Sequence, residues 1–142
     1  MSTLYSARAT ATGNGRSGHT RSDDGVLDLE LAIPKELGGA GGAATNPEQL
    51  FAAGYAACFH SALLNVARIA KINLTGSAVT ADVGIGKNEA GTGYGLTVGL
   101  TAELEGVDSD VAEQLVAKAH QVCPYSNATR GNIEVTLLAK AI

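Results

Sequence analysis

Two cysteines, Cys58 and Cys123, are the residues of this chain best suited to covalent chemistry. Peroxides oxidise a thiolate to sulfenic acid, and a second thiol can condense with that acid to form a disulfide. Cys58 lies inside a predicted helix, whereas Cys123 precedes Pro124 at a predicted helix end, where we expect a mobile backbone. We therefore predict an attacking thiol at position 58 and a resolving thiol at position 123. The alternative is that Cys58 is a small apolar residue of a packed helix.

An arginine and an acid are the candidate partners of these thiols. A free thiol, with a pKa of about 8.5, is mostly protonated at neutral pH, and the departing peroxide oxygen needs a cation to stabilise its charge. Arg16 lies in a glycine-rich turn that could aim its guanidinium inward, although a solvated turn residue is the alternative. Glu48 could orient this arginine, or it could be an acid that the helix dipole favours in a first turn. Ten residues of helix span about 15 Å, so Glu48 cannot itself touch Cys58.

Other kinds of site find little support in the sequence. His19, His60 and His120 are not at zinc-ligand spacing, and we predict no metal site. His60 is two residues from Cys58 and points to another side of the helix, so we predict a packed or surface histidine. No serine lies in a G-x-S-x-G elbow, and the glycine-rich segment 38–44 lacks the Lys-Ser/Thr ending of a phosphate loop.

Length and composition favour a single folded domain, residues 1–142. The chain has a mass of 14.3 kDa, 45% hydrophobic residues and 17% charged residues, which argues against disorder. A net charge of −4 without a basic stripe disfavours a nucleic-acid partner. No apolar run approaches the roughly 20 residues of a membrane span, and the first residues do not resemble a secretory signal. We therefore expect a cytoplasmic protein with no membrane association.

The predicted elements follow the order β-β-α-β-β-α-β. The first helix begins with Asn46 as cap, Pro47 at its first position and Gln49 completing a capping box, and we expect it to be buried because it is apolar nearly all round. The pattern indicates an α+β fold, with antiparallel sheets wrapped over this long central helix. The other predicted elements are strands over 4–12, 25–33, 76–87, 94–105 and 133–139, and a second helix from 108 or 109 to 122.

Three segments of the chain resemble the organic hydroperoxide resistance proteins, the Ohr branch of the Ohr/OsmC family. Leu37–Phe59 (LGGAGGAATNPEQLFAAGYAACF) and Val122–Asn132 (VCPYSNATRGN) resemble its two cysteine signatures. Thr10–Arg16 (TATGNGR) resembles the segment that carries its active-site arginine. The likeness covers nearly the whole chain, and two long motifs with one cysteine each make it specific.

The resemblance implies a thiol peroxidase that reduces organic hydroperoxides, fatty-acid hydroperoxides among them, to alcohols. Cys58 matches the peroxidatic cysteine, Cys123 the resolving cysteine, Arg16 the activating arginine and Glu48 the acid that holds this arginine. The family has no bound cofactor; dihydrolipoyl groups of lipoylated proteins reduce its disulfide. Its fold is an α+β intertwined homodimer with two central helices between sheets.

Three alternatives stay open at the level of sequence. The first is an OsmC-like peroxidase of broader peroxide range, against which the Cys-Pro-Tyr-Ser motif weighs. The others are a non-enzymatic module with an apolar ligand and a redox sensor that reacts once. Repeated turnover with a dithiol distinguishes an enzyme from both.

Overall fold

The computed structural model describes all residues, Met1–Ile142, and divides into two compact units. The first unit comprises Met1–Leu50 and the second Phe51–Ile142. Compact units occur both within one domain and as separate domains, so the single domain over residues 1–142 stays a prediction.

The first unit contains a three-stranded antiparallel sheet in the order β1-β2-β3. Its strands are short: β1 is Ala9–Thr12, β2 is His19–Ser22 and β3 is Asp28–Glu30. The observed strands β1 and β3 are shorter than the predicted strands 4–12 and 25–33. Strand β2 was not predicted, because its four polar residues show no alternation of apolar and polar side chains. A 3₁₀ turn, Gly15–Ser17, joins β1 to β2, and a second one covers Lys35–Leu37.

Helix α1 covers Pro47–Ile69, and its start follows the sequence prediction. The side chain of Asn46 accepts a hydrogen bond from the backbone N–H of Gln49 at 2.8 Å, which satisfies one of the free donors of the first turn. Gln49 Oε1 accepts a hydrogen bond from the Thr45 hydroxyl, also at 2.8 Å. Pro47 occupies the first helical position, where its missing N–H costs nothing.

The second unit contains a sheet in the order β4-β5-β6 and two further helices. Strands β4 and β5 pair antiparallel over their full length, but β5 and β6 pair parallel. The expectation that the sheets are antiparallel is therefore wrong at this pairing, because β6 returns through a helical crossover and a crossover sets the strands parallel. The bounds are Gly76–Lys87 for β4, Tyr94–Glu105 for β5, Ser109–Val122 for α2, Pro124–Thr129 for α3 and Val135–Ala141 for β6.

The core of the second unit lies between its sheet and its helices. Every second residue of β5 from Val98 to Leu104 is buried, which gives one apolar face to the strand. From α1, the core receives a single stripe of side chains at helical spacing, namely Tyr55, Phe59, Leu63, Val66 and Ala67. These contacts confirm the α+β class, and they show that the chain buries α1 on one side only.

Contrary to the expectation that no apolar run approaches a membrane span, helix α1 is long and apolar enough to cross a membrane by length and composition. The core helix of a soluble protein meets the same criterion, and the buried stripe of α1 is what such a helix has. Several of its other residues, among them Ala53, Ala57 and Leu64, are exposed in the single chain. The sequence prediction of a helix buried nearly all round therefore does not describe the isolated chain.

Candidate active site

In the first unit, Arg16 and Glu48 form a bidentate ion pair. Arg16 Nη1 donates to Glu48 Oε2 and Arg16 Nη2 donates to Glu48 Oε1, both at 2.8 Å. The planar fork of a guanidinium matches the two oxygens of a carboxylate, and such paired bonds fix the orientation of the arginine as well as its position. The structure thus places together the two residues that the sequence proposed as an orienting acid and its arginine.

The turn that carries Arg16 depends on a close approach of two backbone segments. A Cβ at Gly18 would meet the carbonyl oxygen of Thr12 at 2.2 Å, so only glycine permits this turn to close. Glu48 lies in the first turn of α1, where the helix dipole stabilises its negative charge. The hydrogen bond from Arg16 lowers the pKa of Glu48, and the bond to Glu48 raises the pKa of Arg16. Both groups therefore stay charged at neutral pH.

In the second unit, the two cysteines face each other as free thiols. Cys123 Sγ lies 3.6 Å from Cys58 Sγ, with the Cys123 thiol as the donor of an S–H···S contact. A disulfide bond is about 2.05 Å long, so closing it requires the sulfurs to approach by only about 1.5 Å. Sixty-five positions separate the two residues along the chain, and the tertiary structure alone brings them into reach.

The surroundings of Cys58 act on its ionisation in two directions. Burial has the largest effect and raises the pKa of the Cys58 thiol above its ordinary value. The backbone N–H of Tyr125 acts in the opposite direction and lowers the pKa of Cys58, whereas the neighbouring Cys123 raises that pKa further.

The relative burial of the cysteines is the reverse of the sequence prediction. Cys58 is partly exposed, and Cys123, predicted at a mobile helix end, is fully buried. Cys123 lies between α2 and α3 and caps both: its N–H donates to the Ala119 carbonyl, and its own carbonyl accepts from the Asn127 N–H, each at 2.9 Å. A further helix, α3, starts at Pro124, where proline at the first helical position favours a helix start. The mobility expected of Cys123 stays a prediction.

Beside the thiols lies a group of buried hydroxyls that the sequence analysis did not single out. Tyr55 Oη lies 2.9 Å from Ser126 Oγ and 3.2 Å from Thr129 Oγ1. Ser126 Oγ also lies 2.8 Å from His120 Nδ1. A signal was present in the spacing, since Tyr55 precedes Cys58 by three residues and Ser126 follows Cys123 by three.

Three aromatic rings lie on the segments that carry the thiols. The rings of Phe51, Tyr55 and Tyr125 pack together, with centroid separations from 5.6 to 6.1 Å. A Cβ at Gly54 would meet Tyr125 Oη at 2.9 Å, so the glycine makes room for this ring against α1. Tyr55 and Phe51 precede Cys58 by three and seven residues, so they share its face of α1.

His60 does not take part in this cluster. Its Nε2 lies 2.8 Å from the hydroxyl of Ser77 on β4. This contact agrees with the prediction that His60 is a packed histidine rather than the base for Cys58.

The family comparison matches most of the chain. A family model described as "OsmC-like protein" matches residues 39–138. An organic hydroperoxide resistance protein of Xanthomonas axonopodis pv. citri is 56% identical over 134 residues, which cover 94% of this chain and 93% of that protein.

Solved structures share the fold over the full length. An organic hydroperoxide resistance protein from Elizabethkingia anophelis, with crystallant-derived thiocyanate bound, has a TM-score of 0.94 at 57% identity and covers 100% of both chains. The organic hydroperoxide resistance protein OhrB of Bacillus subtilis has a TM-score of 0.88 at 45% identity and covers 99% of this chain and 100% of that chain.

Proposed function

Because the chain belongs to the OsmC family, in its organic hydroperoxide resistance branch, we propose that it protects against organic hydroperoxides as a thiol peroxidase. The observation that carries the proposal is the Sγ–Sγ distance of 3.6 Å between Cys58 and Cys123. Two thiols in such reach can pass between reduced and disulfide states with little movement of the backbone. The names of the similar proteins supply the substrate class, and the aromatic rings around Cys58 are compatible with it.

The proposed cycle begins at Cys58. Its thiolate attacks one peroxide oxygen, the O–O bond breaks, and the products are the Cys58 sulfenic acid and an alkoxide that takes a proton to become the alcohol. Arg16 is proposed to stabilise the charge that develops on the departing oxygen, and Glu48 to hold the guanidinium in place. The ordered fork of the ion pair supports these roles.

The second step closes the disulfide and the third reopens it. The Cys123 thiol attacks the sulfenic sulfur, the S–O bond breaks, and water leaves. A dihydrolipoyl group of a lipoylated protein is the proposed reductant; its two thiols become the lipoyl disulfide as both cysteines are reduced. Dihydrolipoamide is the smallest form of this donor, and no bound cofactor is required.

The homodimer of the family is also proposed for this chain, as a cytoplasmic protein. The first unit contains no fully buried side chain, and its large apolar residues Leu4, Tyr5 and Val26 are at least 81% exposed. Exposed apolar side chains of this kind are typical of a face that a partner chain covers. Sedimentation equilibrium tests the proposal: a dimer has twice the chain mass of 14.3 kDa, and a monomer at micromolar concentration would contradict it.

A steady-state assay tests the proposed activity. Cumene hydroperoxide, a fatty-acid hydroperoxide and hydrogen peroxide are compared as substrates, with dihydrolipoamide as the donor. We expect rapid turnover with a preference for the organic substrates, and none with Cys58→Ser. Absence of turnover with both thiols shown to be reduced would refute the enzyme and favour a module that binds an apolar ligand.

A further inference from the structure

The hydroxyl chain between α1 and α3 has no part in the cycle described above. Tyr55 and Ser126 are fully buried and Thr129 is nearly so. Buried hydroxyls cost free energy unless they are hydrogen-bonded, and here each of the three has a partner. A fully satisfied polar group inside an apolar core holds its members in one arrangement, because any other arrangement leaves a group unpaired.

The hydroxyl contact and the thiol contact are neighbours on the same two segments. On α1, Tyr55 and Cys58 are three residues apart and therefore share a face of the helix. On the other segment, Ser126 lies three residues after Cys123, the residue that precedes α3. The Tyr55–Ser126 hydrogen bond of 2.9 Å and the Sγ–Sγ contact of 3.6 Å thus connect the same two segments side by side.

A second set of bonds spans the corner between α2 and α3, where Cys123 lies. Pro124 has no N–H to donate to the carbonyl of His120, which a continuous helix would require. The guanidinium of Arg130 donates to that carbonyl instead, at 2.5 Å, and the His120 ring meets the Ser126 hydroxyl at 2.8 Å. These two contacts link the residues on both sides of Cys123.

We propose that Tyr55, Ser126 and His120 are positioning residues that hold the Cys123 thiol within reach of the Cys58 sulfur. The inference rests on the proposed thiol cycle and concerns its second step. Once Cys58 is a sulfenic acid, two reactions compete for it. Attack by Cys123 forms the disulfide and releases water, whereas a second hydroperoxide oxidises the sulfur to sulfinic acid and leaves as the alcohol. Fixing Cys123 at 3.6 Å favours the first reaction.

Tyr55→Phe is the sharpest test, because it removes one hydroxyl and retains the ring that packs against Phe51 and Tyr125. Tyr94→Phe is the matched control, since Tyr94 is exposed at the start of β5. Ser126→Ala is a second variant, and it removes the hydroxyl that contacts both Tyr55 and His120. Thermal unfolding verifies that each variant is folded.

Single-turnover oxidation with a hydroperoxide, quenched by alkylation and read by mass spectrometry, separates the two steps. We expect Cys58 to oxidise at the wild-type rate in Tyr55→Phe while disulfide closure slows about tenfold, the factor that corresponds to losing one buried hydrogen bond. With excess hydroperoxide, the sulfinic form of Cys58 should accumulate. A general loss of structure would slow both steps together, so the split between the steps identifies positioning.

An equilibrium measurement decides the inference even if the proposed peroxidase activity fails. In glutathione buffers, the ratio of the Cys58–Cys123 disulfide to the Cys58–glutathione mixed disulfide, multiplied by the concentration of free reduced glutathione, gives the effective concentration of the Cys123 thiol. We expect this value to fall about tenfold in Tyr55→Phe and Ser126→Ala and to be unchanged in Tyr94→Phe. Wild-type values in both folded variants would overturn the positioning role. If hydroperoxide does not oxidise the wild-type protein, the proposed peroxidase activity is refuted. The effective concentration measured in glutathione buffers still decides the positioning role in that case.

Discussion

Breaking the ion pair between Arg16 and Glu48 should reduce the peroxidase activity far more than it reduces the stability of the fold. In Glu48→Gln, one carboxylate oxygen becomes an NH₂ group, which faces an arginine N–H that needs an acceptor. One of the two 2.8 Å bonds is lost and donor faces donor, so the fork no longer holds. Arg16 remains in the protein but loses its fixed direction.

The structure sets the scale of both effects. The Arg16 side chain is 41% exposed and that of Glu48 is 13% exposed, so solvent screens the pair and it contributes roughly 0.2–1 kcal/mol to stability. The favourable place of Glu48 in the first turn of α1 adds about 0.3–1 kcal/mol. A misplacement of a catalytic group by about 1 Å, in contrast, costs on the order of 100-fold in rate.

The assay compares kcat/KM for an organic hydroperoxide with the free energy of unfolding in urea. The free energy of unfolding of Glu48→Gln should lie within about 2 kcal/mol of the wild-type value, and its kcat/KM should fall roughly 100-fold. Arg16→Lys, which keeps the charge but not the fork, should lose a similar factor. The double variant should lose little more, because both changes break the same contact. Wild-type turnover in Glu48→Gln, or losses that multiply in the double variant, would refute the reasoning.

The remaining predictions concern the thiols and one helix cap. Cys123→Ser should form a sulfenic acid on Cys58 that dimedone traps, yet fail to turn over with dihydrolipoamide; sustained turnover would remove Cys123 from the cycle. Because burial raises the pKa of Cys58, the rate at which Cys58 is oxidised should increase as the pH rises through neutrality and level off only above the ordinary thiol pKa. A rate that is constant from pH 6 to about 9 would contradict this effect. Asp108→Ala removes the cap bond to the Val111 N–H at 2.9 Å and should lower stability by about 1 kcal/mol, or Tm by about 3 °C, with peroxidase activity unchanged.

The sequence by itself determined the elements whose signals are local. Helix α1 starts where Asn46 and Pro47 predict, and β4 and β5 have the predicted bounds because alternation and a glycine-containing loop depend only on near neighbours. The candidate residues Cys58, Cys123, Arg16 and Glu48 also came from the sequence, by residue type and by resemblance. Their roles remain proposals.

Only the tertiary structure decided how Cys58 meets Cys123 and how Arg16 meets Glu48. No local pattern contains the Sγ–Sγ distance, since it depends on how α1 and the α2–α3 corner pack on one sheet. The same packing reverses the predicted burial of the cysteines and gathers Tyr55, Ser126 and His120 around one hydroxyl. Burial and distance are properties of contacts between segments far apart in the chain, and a sequence specifies such contacts only through the complete fold.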